Sequence, residues 1–116
     1  MVVINSRILG ADIGLHSISI CRFDNSGNLE ADITFNLPHP AMPGAVTIAI
    51  CVNLISVDPD FRAGLLGVSI SAKIDANGRT LKSFKQLPGW INVPLADWLE
   101  PRICRRVNLI WVQNQI

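Results

Sequence analysis

Residues 8–30, ILGADIGLHSISICRFDNSGNLE, hold three short apolar segments separated by two groups of turn-forming residues. The first group contains Asp12 and Gly14, and the second, residues 24–28, contains a glycine that can adopt a positive φ. Short segments of alternating or β-branched residues bounded by such turns are typical of hairpins. The pattern predicts three successive antiparallel strands, at residues 7–12, 17–23 and 29–36.

After this meander the chain changes to longer apolar runs. A run without internal Gly or Pro predicts a buried helix at 45–57, and the next run predicts a central parallel strand, covered on both faces, at 65–70. A hairpin, a short helix kinked or shortened by Pro101, and a last strand follow at residues 73–85, 94–104 and 107–112. The fold class is therefore α/β, a mixed five-stranded sheet in βββ-α-β-α-β order. This order resembles one subdomain of the ribonuclease H-like, actin-like ATPase fold.

Length and composition indicate one small domain, residues 1–116, with little surface charge. Hydrophobic residues make up 49% of the chain and charged residues 16%, against about 25% in an average protein. Such a low share of charged residues favours a protein in which another domain or molecule covers one face of the surface. A small sheet protein with a large core would have the same composition, and both interpretations stay open.

Charge and cysteine usage indicate a cytoplasmic protein without a nucleic-acid or membrane partner. The net charge is +1 with scattered basic residues, and the longest apolar stretch, residues 45–57, is too short to span a bilayer. No signal peptide is expected, because the first residues lack a basic region followed by a long apolar core. The cysteines at 21, 51 and 104 form no CxxC pair and each lies in an apolar run. They predict buried free thiols in a reducing compartment.

Two blocks of sequence resemble the ROK family, the bacterial glucokinase-like sugar kinases and their related repressors. Residues 9–30, LGADIGLHSISICRFDNSGNLE, are similar to the opening of that family, where an Asp-x-Gly-Gly-Thr-Lys turn precedes the second strand. Residues 65–100 are similar to its middle segment, and the Leu87-Pro88-Gly89-Trp90 corner is the most specific match. The resemblance covers nearly the whole chain and implies the N-terminal subdomain of such a protein.

The resemblance implies that Asp12, Gly14 and His16 form a loop that binds phosphate and Mg²⁺. Such a loop needs small residues, so that backbone N–H groups can approach the anion, and a carboxylate that holds the metal through water. Leu15, His16 and Ser17 replace the usual Gly, Thr and Lys, and Leu15 adds bulk where the backbone should approach phosphate. In the alternative interpretation, Asp12 forms a turn and His16 is an ordinary surface histidine.

The resemblance implies that four polar residues bind the sugar: Ser69, Ser71, Gln86 and Asn114. Residues 69–75, SISAKID, stand where the family has Gly-x-Pro-Gly-Pro-Val-Asp, so both prolines and both glycines are missing. The two serines could donate hydrogen bonds to a hydroxyl or belong to a solvated turn. Gln86 replaces the asparagine that begins the corner in the family, and its amide has similar hydrogen-bonding groups.

The catalytic base of the family is not found in this chain. Transfer of a phosphoryl group to a sugar hydroxyl needs a carboxylate within hydrogen-bond reach. The family's Asn-Asp-x-Asn motif aligns with residues 111–114 without a gap, or with Asn114-Gln115 after one, so Val112 or Gln115 takes the base position. The sequence has no Asp or Glu after Glu100.

The resemblance implies ATP and Mg²⁺ as cofactors, and no zinc site is expected because His16 and His39 are isolated. Three hypotheses remain open. In the first, the chain is an N-terminal kinase subdomain that is inactive alone. In the second, it is a non-catalytic module that senses a hexose. In the third, it is half of an enzyme. In the last case a second lobe or a second copy covers an apolar face.

Overall fold

The computed structural model describes residues 7–84, 87 and 89–111. The strands and helices are β1 Arg7–Ile13, β2 Ser17–Phe23, β3 Leu29–Asn36, α1 Pro43–Val57, β4 Ala63–Ile70, β5 Lys73–Ile74, β6 Leu81–Ser83, β7 Ile91–Val93, α2 Leu95–Ile103 and β8 Arg106–Trp111. None of the described helices is long and apolar enough to cross a lipid bilayer.

The main sheet has five strands in the order β3-β2-β1-β4-β8. The first three strands pair antiparallel, and β4 pairs parallel with both β1 and β8. This confirms the predicted mixed sheet. A second sheet, β5-β6-β7, is inserted between β4 and α2. The sequence predicts its hairpin but not β7, because a strand of three residues is too short to show an alternating pattern.

The hydrophobic core lies between one face of the main sheet and the two helices. Alternate residues of each strand point to this face, since successive side chains of a strand lie on opposite sides of the sheet. The central strands contribute Leu9, Ala11, Ile13, Ile18, Ile20, Leu66, Val68 and Ile70, all at most 3% exposed. The helices contribute Val46, Ile50, Leu54, Leu95 and Leu99, all at most 2% exposed.

The opposite face of the main sheet is largely open. Ile8 and Ile110 there are 46% and 50% exposed, and a Cβ placed on Gly10 would meet no atom within 4 Å. The prediction that β4 is covered on both faces is therefore wrong for the described structure. The helices pack on one side, so the second face of β4, with Gly67 and Ser69, is only partly covered.

Helix α1 also departs from the prediction, because only one of its faces is buried. The helix begins with Pro43, a residue favoured in a first turn, and ends where Asp58 donates its backbone N–H to Leu54. Its outer face exposes Ile48, Val52 and Ile55. An apolar run without charge predicted burial all round, whereas the described chain provides elements for one side only.

The cysteine prediction is also partly wrong. All three thiols are free, but Cys104 is exposed and Cys21 and Cys51 are half-buried. Cys104 ends α2 in the left-handed conformation, with φ 55° and ψ 38°, where the chain turns outward before β8. Burial raises the pKa of both half-buried thiols, Cys21 and Cys51, so their reactive thiolate forms are disfavoured.

Candidate functional site

The candidate site lies where parallel strands β1 and β4 end, on the open face of the main sheet. The carboxyl ends of parallel strands meet at one edge, which is the usual position of ligand sites in such sheets. Asp12 and Ser69 are partners in the register of β1 and β4. The Ser69 hydroxyl donates a hydrogen bond of 2.9 Å to Oδ1 of Asp12. The structure therefore brings together two residues that are 57 positions apart in the chain.

Two more hydroxyls extend this polar row across the sheet. Ser19 is the partner of Asp12 on β2, and its Oγ lies 2.9 Å from Oγ1 of Thr34 on β3. The sequence analysis did not select Ser19 or Thr34 as site residues. Their alternation with Ile18 and Ile20 in β2, and with Ile33 and Phe35 in β3, is the signal that could have placed them on the face of Asp12.

Gly14 permits the tight turn between β1 and β2. Its N–H donates to the Ser17 carbonyl at 2.9 Å, and a Cβ at this position would lie 3.2 Å from the same oxygen. The next two amides, of Leu15 and His16, have no hydrogen-bond partner among the described residues. Unpaired N–H groups on consecutive residues of a turn can bind an anion. The turn thus has the donors of a small phosphate-binding loop.

A cavity of about 460 Å³ adjoins this turn. It is lined by Leu15, His16, Asn36, Leu37, His39, Pro40, Ala41 and Leu87. His16 and His39 are both exposed at its mouth, and Leu15 is 46% exposed. The cavity therefore combines an apolar wall with imidazole and amide groups, a composition common in sites for small polar ligands.

Trp90, from the segment that carries the sequence resemblance, packs beside the cavity lining at Ala41. The indole N–H of Trp90 donates to the Ala41 carbonyl at 2.8 Å, and the ring meets Phe84 edge-to-face at 5.9 Å. Trp90 is 1% exposed, so these contacts hold the segment before α1 against the corner. Trp90 thus supports the part of the cavity lining formed by Ala41.

The remaining sugar-side residues are only partly described. Ser71 is half-buried directly after β4, and its hydroxyl makes no hydrogen bond to another described residue. Four further residues lie outside the described part of the chain: Gln86, Val112, Asn114 and Gln115. The sugar site thus stays a prediction.

The arrangement can hold a cation only through a single carboxylate. Asp12 is exposed, and one of its oxygens accepts the Ser69 hydrogen bond while the other stays available. No group of three or more His, Cys, Asp or Glu side chains suited to a metal ion occurs within residues 7–84, 87 and 89–111. This chemistry fits Mg²⁺ held through water, because Mg²⁺ keeps most of its hydration shell and needs few protein ligands.

Comparison of the sequence with models of known protein families and with curated proteins finds no match in either case. Comparison of the fold with solved structures does find matches. A ROK family glucokinase from Streptomyces griseus, in complex with glucose and AMPPNP, matches 90% of this chain and 33% of its own, with a TM-score of 0.82 and 21% identity.

Two further structures show the breadth of this likeness. An inorganic polyphosphate/ATP-glucomannokinase from Arthrobacter sp. strain KM matches 91% of this chain and 44% of its own, with a TM-score of 0.79 and 24% identity. A ROK family transcriptional regulator, a homolog of the E. coli Mlc protein, matches 89% of this chain and 27% of its own, with a TM-score of 0.72 and 12% identity. At these identities the likeness establishes the fold. The chain therefore has the fold of the matched part of these proteins and spans less than half of each.

Proposed function

We propose that this chain is the N-terminal subdomain of a ROK-type sugar kinase, contributing the first phosphate loop and one wall of the sugar site. The observation that carries this proposal is the contact of 2.9 Å between Ser69 and Asp12, beside the Gly14 turn. The sheet edge of this chain that holds Asp12 also has two unpaired amides and a cavity, and its fold is shared with a ROK glucokinase solved with glucose and AMPPNP.

The residues present fit ATP and Mg²⁺ at one end of the nucleotide. Asp12 would hold Mg²⁺ through water, and the amides of Leu15 and His16 would donate to a terminal phosphate. When bound, the metal neutralises negative charge on the phosphates. Ser69 positions the Asp12 carboxylate by donating to one of its oxygens, which leaves the other facing the open side of the sheet.

A second candidate function is a non-catalytic module that binds a hexose. It is favoured by the aligned base position, where Val112 or Gln115 offers no carboxylate, and by the likeness to a ROK transcriptional regulator. In this function His16, His39 and Asn36, which line the cavity, would donate to sugar hydroxyls.

Calorimetric titration of the 116-residue chain separates the two functions. A kinase subdomain binds Mg-ATP, and Asp12→Asn weakens that binding by about tenfold because it removes one charged contact. Asp32→Asn, which changes another exposed carboxylate on the same face, should have no effect. Binding of glucose or mannose without Mg-ATP would favour the sensor. Binding of neither ligand would contradict a retained half-site.

A further inference from the structure

The turn between β5 and β6 contains Asn77 followed by Gly78. Asparagine is a chemically labile residue, and Asn77 is the only asparagine in the sequence that precedes a glycine. Asn77 is exposed to water. Because glycine has no Cβ, the side chain of Asn77 can approach the backbone nitrogen of Gly78 without obstruction. The sequence and the exposure together indicate that Asn77 is open to attack by its own backbone.

A hydrogen bond holds the Asn77 side chain over the residue that follows it. The backbone N–H of Arg79 donates to Oδ1 of Asn77 at 2.8 Å. This contact keeps the side-chain carbonyl close to Gly78, whose nitrogen lies between the two bonded residues in the chain. The Arg79 N–H also polarises the carbonyl, and it stabilises the oxygen when negative charge develops there. The turn therefore presents an activated carbonyl beside a backbone nitrogen.

The same turn carries Arg79, which ties the second sheet to α2 and β8. Its guanidinium donates to Asp97, with Nε at 3.0 Å and Nη2 at 2.8 Å, and also to Glu100. Its Nη1 donates to the Val107 carbonyl at 3.1 Å, and its own carbonyl accepts from the N–H of Ala96 at 3.3 Å. We call these contacts of Arg79 with Ala96, Asp97, Glu100 and Val107 the Arg79 clasp. The clasp depends on the backbone of the turn, because that backbone sets the position of Arg79.

We propose that Asn77 is a site of spontaneous deamidation and that its isoaspartyl product opens the Arg79 clasp. The backbone nitrogen of Gly78 loses its proton to water and attacks Cγ of Asn77. The new N–Cγ bond closes a cyclic imide, while the side-chain amide nitrogen takes up a proton and leaves as ammonia. Water then cleaves a ring C–N bond. Cleavage at Cγ gives aspartate, and cleavage at the backbone carbonyl of residue 77 gives isoaspartate.

The two products differ in the backbone of the turn. Aspartate keeps the main chain and adds a negative charge. Isoaspartate directs the main chain through Cβ and Cγ of residue 77, which lengthens a turn closed by bonds of 2.8 Å from the Asp75 N–H to the Thr80 carbonyl and from the Gly78 N–H to the Asp75 carbonyl. Isoaspartate alone therefore displaces Arg79 from α2 and β8. The proposal involves neither nucleotide nor sugar and goes beyond the proposed function.

Incubation of the folded 116-residue chain at mildly alkaline pH, followed by peptide mass mapping, tests the modification site. We expect the mass increase that accompanies replacement of an amide by a carboxylate to occur first at residue 77, with isoaspartate identified by electron-transfer fragmentation. Asn77→Gln should remove this product, because glutamine would have to close a larger ring. Asn25, which is exposed in the turn at residues 24–28 and precedes a serine, is the internal control and should convert more slowly.

Hydrogen exchange of the purified isoaspartyl chain tests the opening of the clasp. The N–H of Ala96 donates to Arg79, and the N–H of Val107 donates to Glu100 at 3.0 Å. Both amides should exchange about tenfold faster in the isoaspartyl chain than in the parent, the change expected when a hydrogen bond to a charged group is lost. Asn77→Asp is the matched control, because it adds the same charge without lengthening the backbone, and it should exchange like the parent.

Three results would overturn the proposal. One is a residue 77 that stays intact while Asn25 converts. Another is conversion of residue 77 only after the chain is unfolded in urea, which would show that the hydrogen bond from Gly78 to Asp75 protects the site. The third is equal exchange in the isoaspartyl chain and in Asn77→Asp. None of these readouts requires a ligand, so failure of this proposal and failure of the proposed function are distinguishable.

Discussion

At the scale of single residues, Asp58 is the most constrained charge in the described structure. Its side chain is fully buried and accepts hydrogen bonds from the backbone N–H groups of Arg62 and Ala63, at 2.9 and 3.0 Å. Arg22 and Arg105 donate to its two oxygens at 3.2 and 3.0 Å. One carboxylate thus ties the end of α1 to β2 and to the start of β4 and β8. A buried charge is tolerated only when it is paired and hydrogen-bonded in this way.

Asp58→Asn should destabilise the fold by about 3 kcal/mol, because it removes the counter-charge of the largely buried Arg105 and one of the two carboxylates that pair with Arg22. The free energy of unfolding, measured by urea titration at neutral pH, checks this. Asp32→Asn is the control, an exposed carboxylate for which a change under about 0.5 kcal/mol is expected. An equally small change at both positions would show that the arginines find other partners.

The same carboxylate makes stability depend on acidity. Burial alone raises the pKa of Asp58, but the hydrogen bonds from Ala63, Arg62 and Arg105 outweigh it and hold the pKa below its ordinary value. A group whose pKa is lowered on folding stabilises the native state above its unfolded pKa of about 3.9. That contribution is lost as pH falls through the native pKa. Urea midpoints between neutral and acidic pH should fall more steeply for the parent chain than for Asp58→Asn.

At the scale of elements, α2 ends with a residue other than glycine in the left-handed conformation. The helix continues two residues beyond Pro101 and ends at Ile103. Cys104 then adopts the left-handed conformation, with its N–H donating to the Glu100 carbonyl at 2.9 Å. This conformation suits Gly, whereas a residue with a Cβ is strained in it. A cysteine here therefore costs stability.

Cys104→Gly should be more stable than Cys104→Ala by about 1 kcal/mol, because glycine relieves the strain of the left-handed turn. The alanine variant is the matched control, since it removes the same thiol and keeps a Cβ. Thermal and urea unfolding of both variants measure the difference. Equal stabilities, or a more stable alanine variant, would contradict a strained helix end.

At the scale of the whole molecule, the described chain leaves one face of its main sheet largely open. The open face of the main sheet exposes Ile8 and Ile110, and the matched ROK structures are more than twice as long as this chain. In enzymes of two lobes, closure around the substrates assembles the catalytic groups and excludes water. The candidate site here is open on one side.

The 116-residue chain alone should therefore not phosphorylate glucose or mannose with ATP. Neither residue that aligns with the family's catalytic base, Val112 or Gln115, is a carboxylate, and the candidate site is open on one side. A coupled assay for ADP release, with a complete ROK glucokinase as positive control, measures this. Hexose-dependent turnover that disappears in the Asp12→Asn variant would overturn the expectation.

The sequence by itself determined the order of the main elements and the residues that carry the ROK resemblance. Strand and helix periodicity, turn residues near Gly14 and residues 24–28, and the corner at residues 87–90 are local signals. They predicted a mixed five-stranded sheet, which the structure has. They also placed Asp12 at the end of its strand, where it can be a site residue.

Only the tertiary structure decided which distant residues meet and which faces stay open. The contact of Asp12 with Ser69 depends on the register of β1 and β4, and the added hydroxyls of Ser19 and Thr34 depend on two further registers. The apolar pattern of α1 could not reveal that its outer face is exposed. Periodicity records that a residue is apolar, whereas burial depends on whether another element packs against it.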